Sequence, residues 1–218
     1  MVSLSPVSNT GLLPFEEGID MLDDPIADMI AARARAQQLD DPYADVCFLA
    51  TVTSEGQPEV RAIALRDIEA QGIGLLINTN SPKWRQLEAA GQYTLQVFWA
   101  TVQRQYRIQG QVALMEAERL QYYWSRKGYH SRLLEVYYEA VEPQSQALRS
   151  REALLDGMRA LRAQYPDRDS IPLPASLVGV YLYPMTIDAW HGSPDDRLHD
   201  RRLFTRTEQG WRSSVLVP

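Results

Sequence analysis

The chain has 218 residues, 45% of them hydrophobic and 23% charged, with 12 Gly and 13 Pro; this describes a folded protein and excludes disordered, collagen-like and small disulfide-stapled chains. The 22 basic and 28 acidic residues sum to -6, which argues against a sequence-independent grip on nucleic acid. No apolar stretch approaches the roughly 20 residues that span a bilayer, and residues 1–18 carry no basic residue ahead of an apolar block, so no membrane partner is expected and the cytoplasm is the expected compartment.

Residues 1–23 mix Ser, Pro, Asn and Gly without a period and read as an N-terminal arm preceding a single domain over 24–218. From Asp24 and Pro25 to about Gln38, apolar residues fall three and four apart behind an Asp cap and a first-turn Pro, which predicts a helix. Two β-rich runs, 45–53 and 58–67, flank a polar turn containing Gly56, the pattern of an antiparallel hairpin. Cys47 lies in the first run, is the lone cysteine, and is expected to be a buried thiol. A third strand is predicted over 72–79 and a short helix over 81–90, whose Ser-Pro start makes its N-terminus a candidate anion site. Period-two alternation over 93–100 and 104–115 predicts a second hairpin. Helical propensity follows over 116–125, 133–139 and 145–165, and β-like sequence returns over 177–192, 201–206 and 210–218. The sum is an α+β domain whose six or seven mainly antiparallel strands close into a small barrel, because closure removes exposed edges. So small a barrel is filled by its own side chains, which leaves ligands to bind outside it.

One Cys and three widely spaced His, at 130, 191 and 199, make no tetrahedral metal set, and the glycine-rich signatures of dinucleotide and P-loop sites are absent, as is the GxSxG elbow of hydrolases. What stands out is cationic: 20 of the 22 basic residues are Arg, the side chain suited to bidentate capture of phosphate or carboxylate. Arg61 and Arg66 bracket AIAL within one predicted strand, while Arg104, Gln105 and Arg107 interrupt another. Each alone is accounted for as a wet surface charge, but with Ser81 and Lys83 at a helix start they suggest a phosphate pocket. A further cluster, Trp190-His191-Gly192 followed by Arg197-Leu198-His199-Asp200-Arg201, sets an aromatic plate, guanidinium groups and an imidazole within twelve residues.

These residues carry a resemblance. The segments EGQPEVRAIALR (55–66), SPK (81–83), FW and RQYRIQG (98–110), YYWSR (122–126), Ser131, QS (144–145), and Trp190 with RLHDR (197–201), in a chain ending WRSSVLVP, resemble the pyridoxine (pyridoxamine) 5'-phosphate oxidase family over nearly the whole length. The resemblance implies a split β-barrel that binds FMN in the groove of a homodimer, with the segment at about 177–218 serving dimerisation and substrate. It implies that Arg61 and Lys83 hold the flavin phosphate, with Ala62, Ile63, Ala64 and Arg66 on the same strand and Ser81 beside the lysine. Gln105, Gln144, Ser145, Trp190 and Arg201 would contact FMN, and Asn78 and Thr79 would line it. A phosphorylated pyridine substrate would be held through its phosphate by Arg66, Tyr122, Arg126 and Ser131, with Arg197 and His199 over its ring as the catalytic pair. The implied reaction is hydride transfer from C4' of the substrate to the flavin, followed by reoxidation with O2 to give hydrogen peroxide.

The chain also departs from the family pattern. Arg66 stands where a lysine is usual, and Pro82 stands where an arginine helps hold the flavin phosphate, in a loop one residue short. The missing charge-assisted contact is worth roughly 1.5–3 kcal/mol. The stretches after Arg126, before Gln144 and between Trp190 and Arg197 are longer than usual, and all border the expected substrate side. Two alternatives therefore stand beside the vitamin B6 substrate: an oxidase of another ring compound of the phenazine-precursor type, and a binding module that holds FMN or pyridoxal phosphate without turnover.

Overall fold

The computed structural model describes residues 21–70 and 72–218, so the arm expected over 1–23 lies outside it except for its last three residues. The elements in chain order are α1 (Pro25–Gln38), β1 (Val46–Val52), β2 (Pro58–Ala64), a two-residue β3 (Ile68–Glu69), β4 (Gly72–Asn78), α2 (Pro82–Ala90), β5 (Thr94–Trp99), β6 (Arg104–Leu114), α3 (Ala117–Arg126), α4 (Tyr129–Ala140), α5 (Arg151–Gln164), β7 (Leu177–His191), β8 (Asp200–Thr207) and β9 (Gly210–Val215). The fold is α+β and its strand pairs are antiparallel, as the sequence pattern predicts. Several boundaries move. The helix expected from 145 starts at Arg151, where Ser150 accepts a cap bond from Ala153 N, and the helix expected over 133–139 extends back to Tyr129.

Strand order along the sheet is β2-β1-β5-β6-β7-β4-β3, with β8 on β7 and β9 on β8. The two ends of that path are joined by the chain itself, because Arg66 N donates to Gly74 O and Gly74 N to Asp67 O just after β2, which closes a barrel. Its interior is filled by Leu49, Leu75, Leu95, Trp99, Tyr106, Ile108 and Phe204, all fully buried, and Cys47 lies among them, its thiol pushed up to about 12 by desolvation. β4 is buried along its whole length, since one face packs into the barrel and Leu76 on the other joins the cluster of α3, α4 and α5. That is why GIGLLIN reads as an unbroken apolar run instead of an alternating one.

Two details set the placement of later residues. In the β6–β7 ladder the register shifts at Gln109/Gly110, where a Cβ on Gly110 would lie 2.0 Å from Tyr183 O, so only glycine fits the bulge. Arg132 of α4 is buried and donates to the carbonyls of Trp124, Lys127 and Arg168, capping the end of α3 and making the α3–α4 junction rigid.

α1 is tied to the barrel by a buried polar network. The Asp28 carboxylate accepts from Tyr106 OH (2.6 Å) and Leu22 N (3.1 Å) and lies 2.9 Å from His191 Nε2. Burial alone would raise this carboxyl, but the bonds from His191 and Tyr106 more than offset it and leave Asp28 below the ordinary value. Its contribution to stability is therefore present at neutral pH and lost as the pH falls below 3.8, its unfolded value. Asp28→Ala strands two buried partners and is expected to cost about 2–4 kcal/mol, read as a lower urea midpoint at unchanged m-value.

Candidate active site

The side chains singled out in the sequence fall at three places on the barrel. The first is a cavity of about 520 Å³ outside the barrel wall, bounded by β2, the end of β4, the start of α2, the α3–α4 region and the loop before α5. Arg61, Ala62, Ile63, Ala64, Arg66, Asn78, Lys83, Gln144 and Ser145 all line it. β2 can serve this way because it is an outer strand with no fully buried residue, so both of its faces remain available. Lys83 Nζ donates to Gln144 Oε1 at 2.5 Å, bringing together residues 61 positions apart. Ser145 holds φ 71°, a left-handed backbone that a non-glycine residue adopts at a cost and that is common where a loop presents groups to a ligand.

Desolvation, reinforced by the nearby charge of Arg61 and partly opposed by Glu135, brings Lys83 down to about 8. Arg61 is drawn toward the rim, where its η nitrogens donate to Leu49 O, Thr51 Oγ1, Glu59 O and Glu59 Oε2, the last at 2.9 Å. Arg66 keeps a buried Nε with no hydrogen-bond partner among the described residues, and burial lowers its guanidinium below the usual value despite nearby carboxylates. Asn78 is spent on structure, giving its amide to Ser176 Oγ (3.1 Å) and accepting from Asn80 N (2.9 Å). Ser81 is buried, donates to Asn78 O and lies outside the cavity lining, and Thr79 gives its backbone N–H to Ser176 O.

Sequence reasoning missed Lys127 and Glu135, which also line the cavity and pair at 2.8 Å with little exposure. Their spacing of eight residues across a helix break carries no periodic signal, and only the packing of α4 on α3 brings them together.

The second place is a shallower cavity of about 360 Å³ lined by Phe98, Gln105, Arg107, Trp190, Arg201 and Pro218. Register explains it: Phe98 pairs with Gln105, Gln105 with Trp190 and Trp190 with Arg201, a row across four strands. Asp188, two residues before Trp190, receives Arg201 in a bidentate pair (3.0 and 2.9 Å) and also Arg107; the bond from Arg201 holds its carboxyl below the usual range. The two cavities share no lining residue, so the expected flavin contacts divide into two sets within one chain.

The third is the β7–β8 connection. His199 lies against Trp190 with ring centroids 4.7 Å apart, and its Nδ1 accepts from Ser193 N (2.9 Å), which leaves the proton of the neutral ring on Nε2. Arg197 is exposed at φ 63°, the second expected site residue with a left-handed backbone. Tyr122 and Arg126 sit on α3, the guanidinium 5.4 Å from the ring centroid, and Ser131 is exposed on α4; none of these three lines either cavity.

An antiparallel barrel with flanking helices is the fold of the split-barrel proteins. A solved pyridoxamine 5'-phosphate oxidase-related, FMN-binding protein from Nostoc punctiforme superposes with a TM-score of 0.66 at 20% identity, covering 88% of this chain and 96% of that one. The chain belongs to the pyridoxamine 5'-phosphate oxidase family, whose model matches residues 34–165. It is 37% identical over 188 residues to a pyridoxine/pyridoxamine 5'-phosphate oxidase of Novosphingobium aromaticivorans, covering 86% of this chain and 89% of the relative. A protein of the same name from Gluconobacter oxydans is 31% identical, over 92% and 97% of the two chains. These relatives make this chain an oxidoreductase-family enzyme. The structure of PhzG from Burkholderia lata in complex with tetrahydrophenazine-1-carboxylic acid has a TM-score of 0.80 at 27% identity, covering 96% and 98% of the chains.

The depressed Lys83 gives the cavity a definite pH response. Below about 8 the ammonium is charged and favours an anion; above it the charge is lost unless the ligand supplies the reason to retain a proton. Affinity for a phosphomonoester is therefore expected to fall as pH rises from about 7 to 9.5, with proton uptake on binding near pH 8 to 9. Calorimetry in buffers of different ionisation enthalpy checks this, and Lys83→Met should weaken binding about ten-fold at pH 7 and flatten the profile.

Proposed function

We propose that the protein is an FMN-dependent oxidase that converts pyridoxine or pyridoxamine 5'-phosphate to pyridoxal 5'-phosphate, with O2 reduced to hydrogen peroxide. The observation that carries the flavin reading is the 520 Å³ cavity, in which Arg61, Arg66, Lys83 and Lys127 face only Glu59 and Glu135, leaving cationic charge for a phosphate. The buried Nε of Arg66, which has no hydrogen-bond partner among the described residues, is a donor that such a ligand can use. Bound FMN supplies the acceptor for the hydride and the route of its electrons to O2.

The chain's own residues bind and orient. Lys83, steered by Gln144, and Arg61, released from Glu59, hold the flavin phosphate. Gln105, Trp190 and Arg201 offer an aromatic face and donors from a separate surface, and a second copy of the chain would bring that surface to the first cavity; this supports a homodimer with the site between subunits. Exposed Val60 on β2 and Val215 and Val217 near the C-terminus suit such an interface. Arg197 orients the substrate ring and stabilises charge as hydride leaves, and Nε2–H of His199, held in place by Ser193 and Trp190, donates a hydrogen bond to a ring substituent.

A second reading has a specific observation behind it. Only Arg66 of the four expected phosphate ligands lines the cavity, and Glu135 lines it as well, which favours a ring substrate without a phosphate, of the class carried by PhzG.

Anaerobic addition of pyridoxine 5'-phosphate to the FMN-loaded protein should bleach the flavin band, and air should restore it. A flavin that stays oxidised would exclude the vitamin B6 substrate, and failure to take up FMN would leave a binding or structural role. Arg197→Ala should lower kcat/KM at least about a hundred-fold with FMN still bound, as loss of about 2.7 kcal/mol of transition-state stabilisation requires.

A further inference from the structure

The Lys127–Glu135 pair in the first cavity has no step of its own in the proposed reaction. Its side chains are only 10% and 13% exposed, and the rigid α3–α4 junction braced by Arg132 fixes both. One carboxylate oxygen, Oε1, takes Lys127 Nζ at 2.8 Å. The other, Oε2, is shut off from solvent without a hydrogen-bond partner among the described residues. Glu135 also acts through space on Arg66 and on Lys83, partly offsetting the effect of burial on each. Three cations of the cavity thus share one interior carboxylate, while Glu59 serves Arg61 separately at the rim.

We propose that Glu135 is a specificity-determining residue: paired with Lys127 on the cavity wall it shares with Arg66, it cuts the net positive charge at the Arg66 end, so that this end favours a doubly charged anion over a singly charged one less than its cations alone would. A fixed negative charge repels a ligand in proportion to the ligand's own charge, and at low effective dielectric the difference between one charge and two is large. The cations attract in the same proportion, so Glu135 sets how steeply affinity rises with the ligand's charge. Its effect brings a carboxylate, or a phosphoryl group carrying one proton, closer in affinity to a fully ionised phosphate. The unfilled Oε2 further favours an anion flanked by an N–H or O–H donor, because such a donor satisfies a buried acceptor. This inference rests on reading the cavity as the flavin and substrate site, with Arg66 at its substrate end.

Sulfate and methanesulfonate separate charge from shape, being tetrahedral anions of charge two and one. Calorimetric titrations at about pH 7 are run on the wild type, on E135Q, which preserves volume, and on K127Q, which leaves the carboxylate uncompensated. E135Q is expected to bind sulfate about ten-fold tighter and methanesulfonate only about three-fold tighter, and K127Q should weaken sulfate more than methanesulfonate. Equal factors for the two anions, or no change, would overturn the proposal; a merely structural role moves both anions together. Should E135Q fold poorly, E135A is judged by the same ratio of the two anions. Each titration is made with and without FMN: wild type that takes no FMN refutes the flavin reading, while the anion ratios of the unliganded chain still judge Glu135.

Discussion

The long pairing of β6 with β7 is the constraint from which the candidate site follows. Side chains alternate across a strand, so one register decides two surfaces at once. Tyr106, Ile108, Ile187 and Ala189 enter the barrel, and their neighbours Gln105, Arg107, Asp188 and Trp190 are delivered to the outer face. A slip of one residue would bury guanidinium and carboxylate and expose the core, at a cost no surface contact could offset. The register shifts at the Gly110 bulge, and beyond it the first half of β7 pairs with β4 while Leu177 joins the α3–α5 cluster. The same alignment places His191 inside against Asp28 while Trp190 faces out, so the residues of one dipeptide serve the core and the site respectively.

Electrostatics then distinguishes the cavity from the rest of an acidic chain. Four cations are gathered where β2, α2 and α4 converge; two of them pair directly with carboxylates, while burial outweighs the nearby carboxylates at the other two, Arg66 and Lys83. Holding like charges together in partly dry surroundings is unfavourable without an anion, and the lowered Lys83 is the direct sign of that tension. The second surface is the converse: Asp188 satisfies both Arg107 and Arg201, leaving the Trp190 face and Gln105 as its principal offerings. A cationic pocket and an aromatic plate thus stand on separate faces of one barrel.

Much of this was legible in the residues. The helix at Pro25, the two hairpins and the mostly apolar β4 each follow from local periodicity and caps, and the closure into a barrel follows from the number of strands and the removal of exposed edges. The cations Arg61, Arg66 and Lys83 stood out because charge within strand-like sequence and at a helix start is locally anomalous. The start of α5 was misjudged because residues 145–150 have ordinary helical propensity but adopt a turn that ends at the Ser150 cap. Lys127 and Glu135 went unnoticed because each is unremarkable in its own helix context.

By itself, the sequence determined the element types, the antiparallel α+β class, and the kinds of side chain available for chemistry, because these depend on periodicity, capping and composition, which are local. Only the tertiary structure decided which of those side chains meet. It put Lys83 on Gln144 and Glu135 between cations, and it set Tyr122, Arg126 and Ser131 outside the lining of both cavities. Such placements depend on helix packing and barrel closure over separations of tens of residues, and no short-range pattern encodes them.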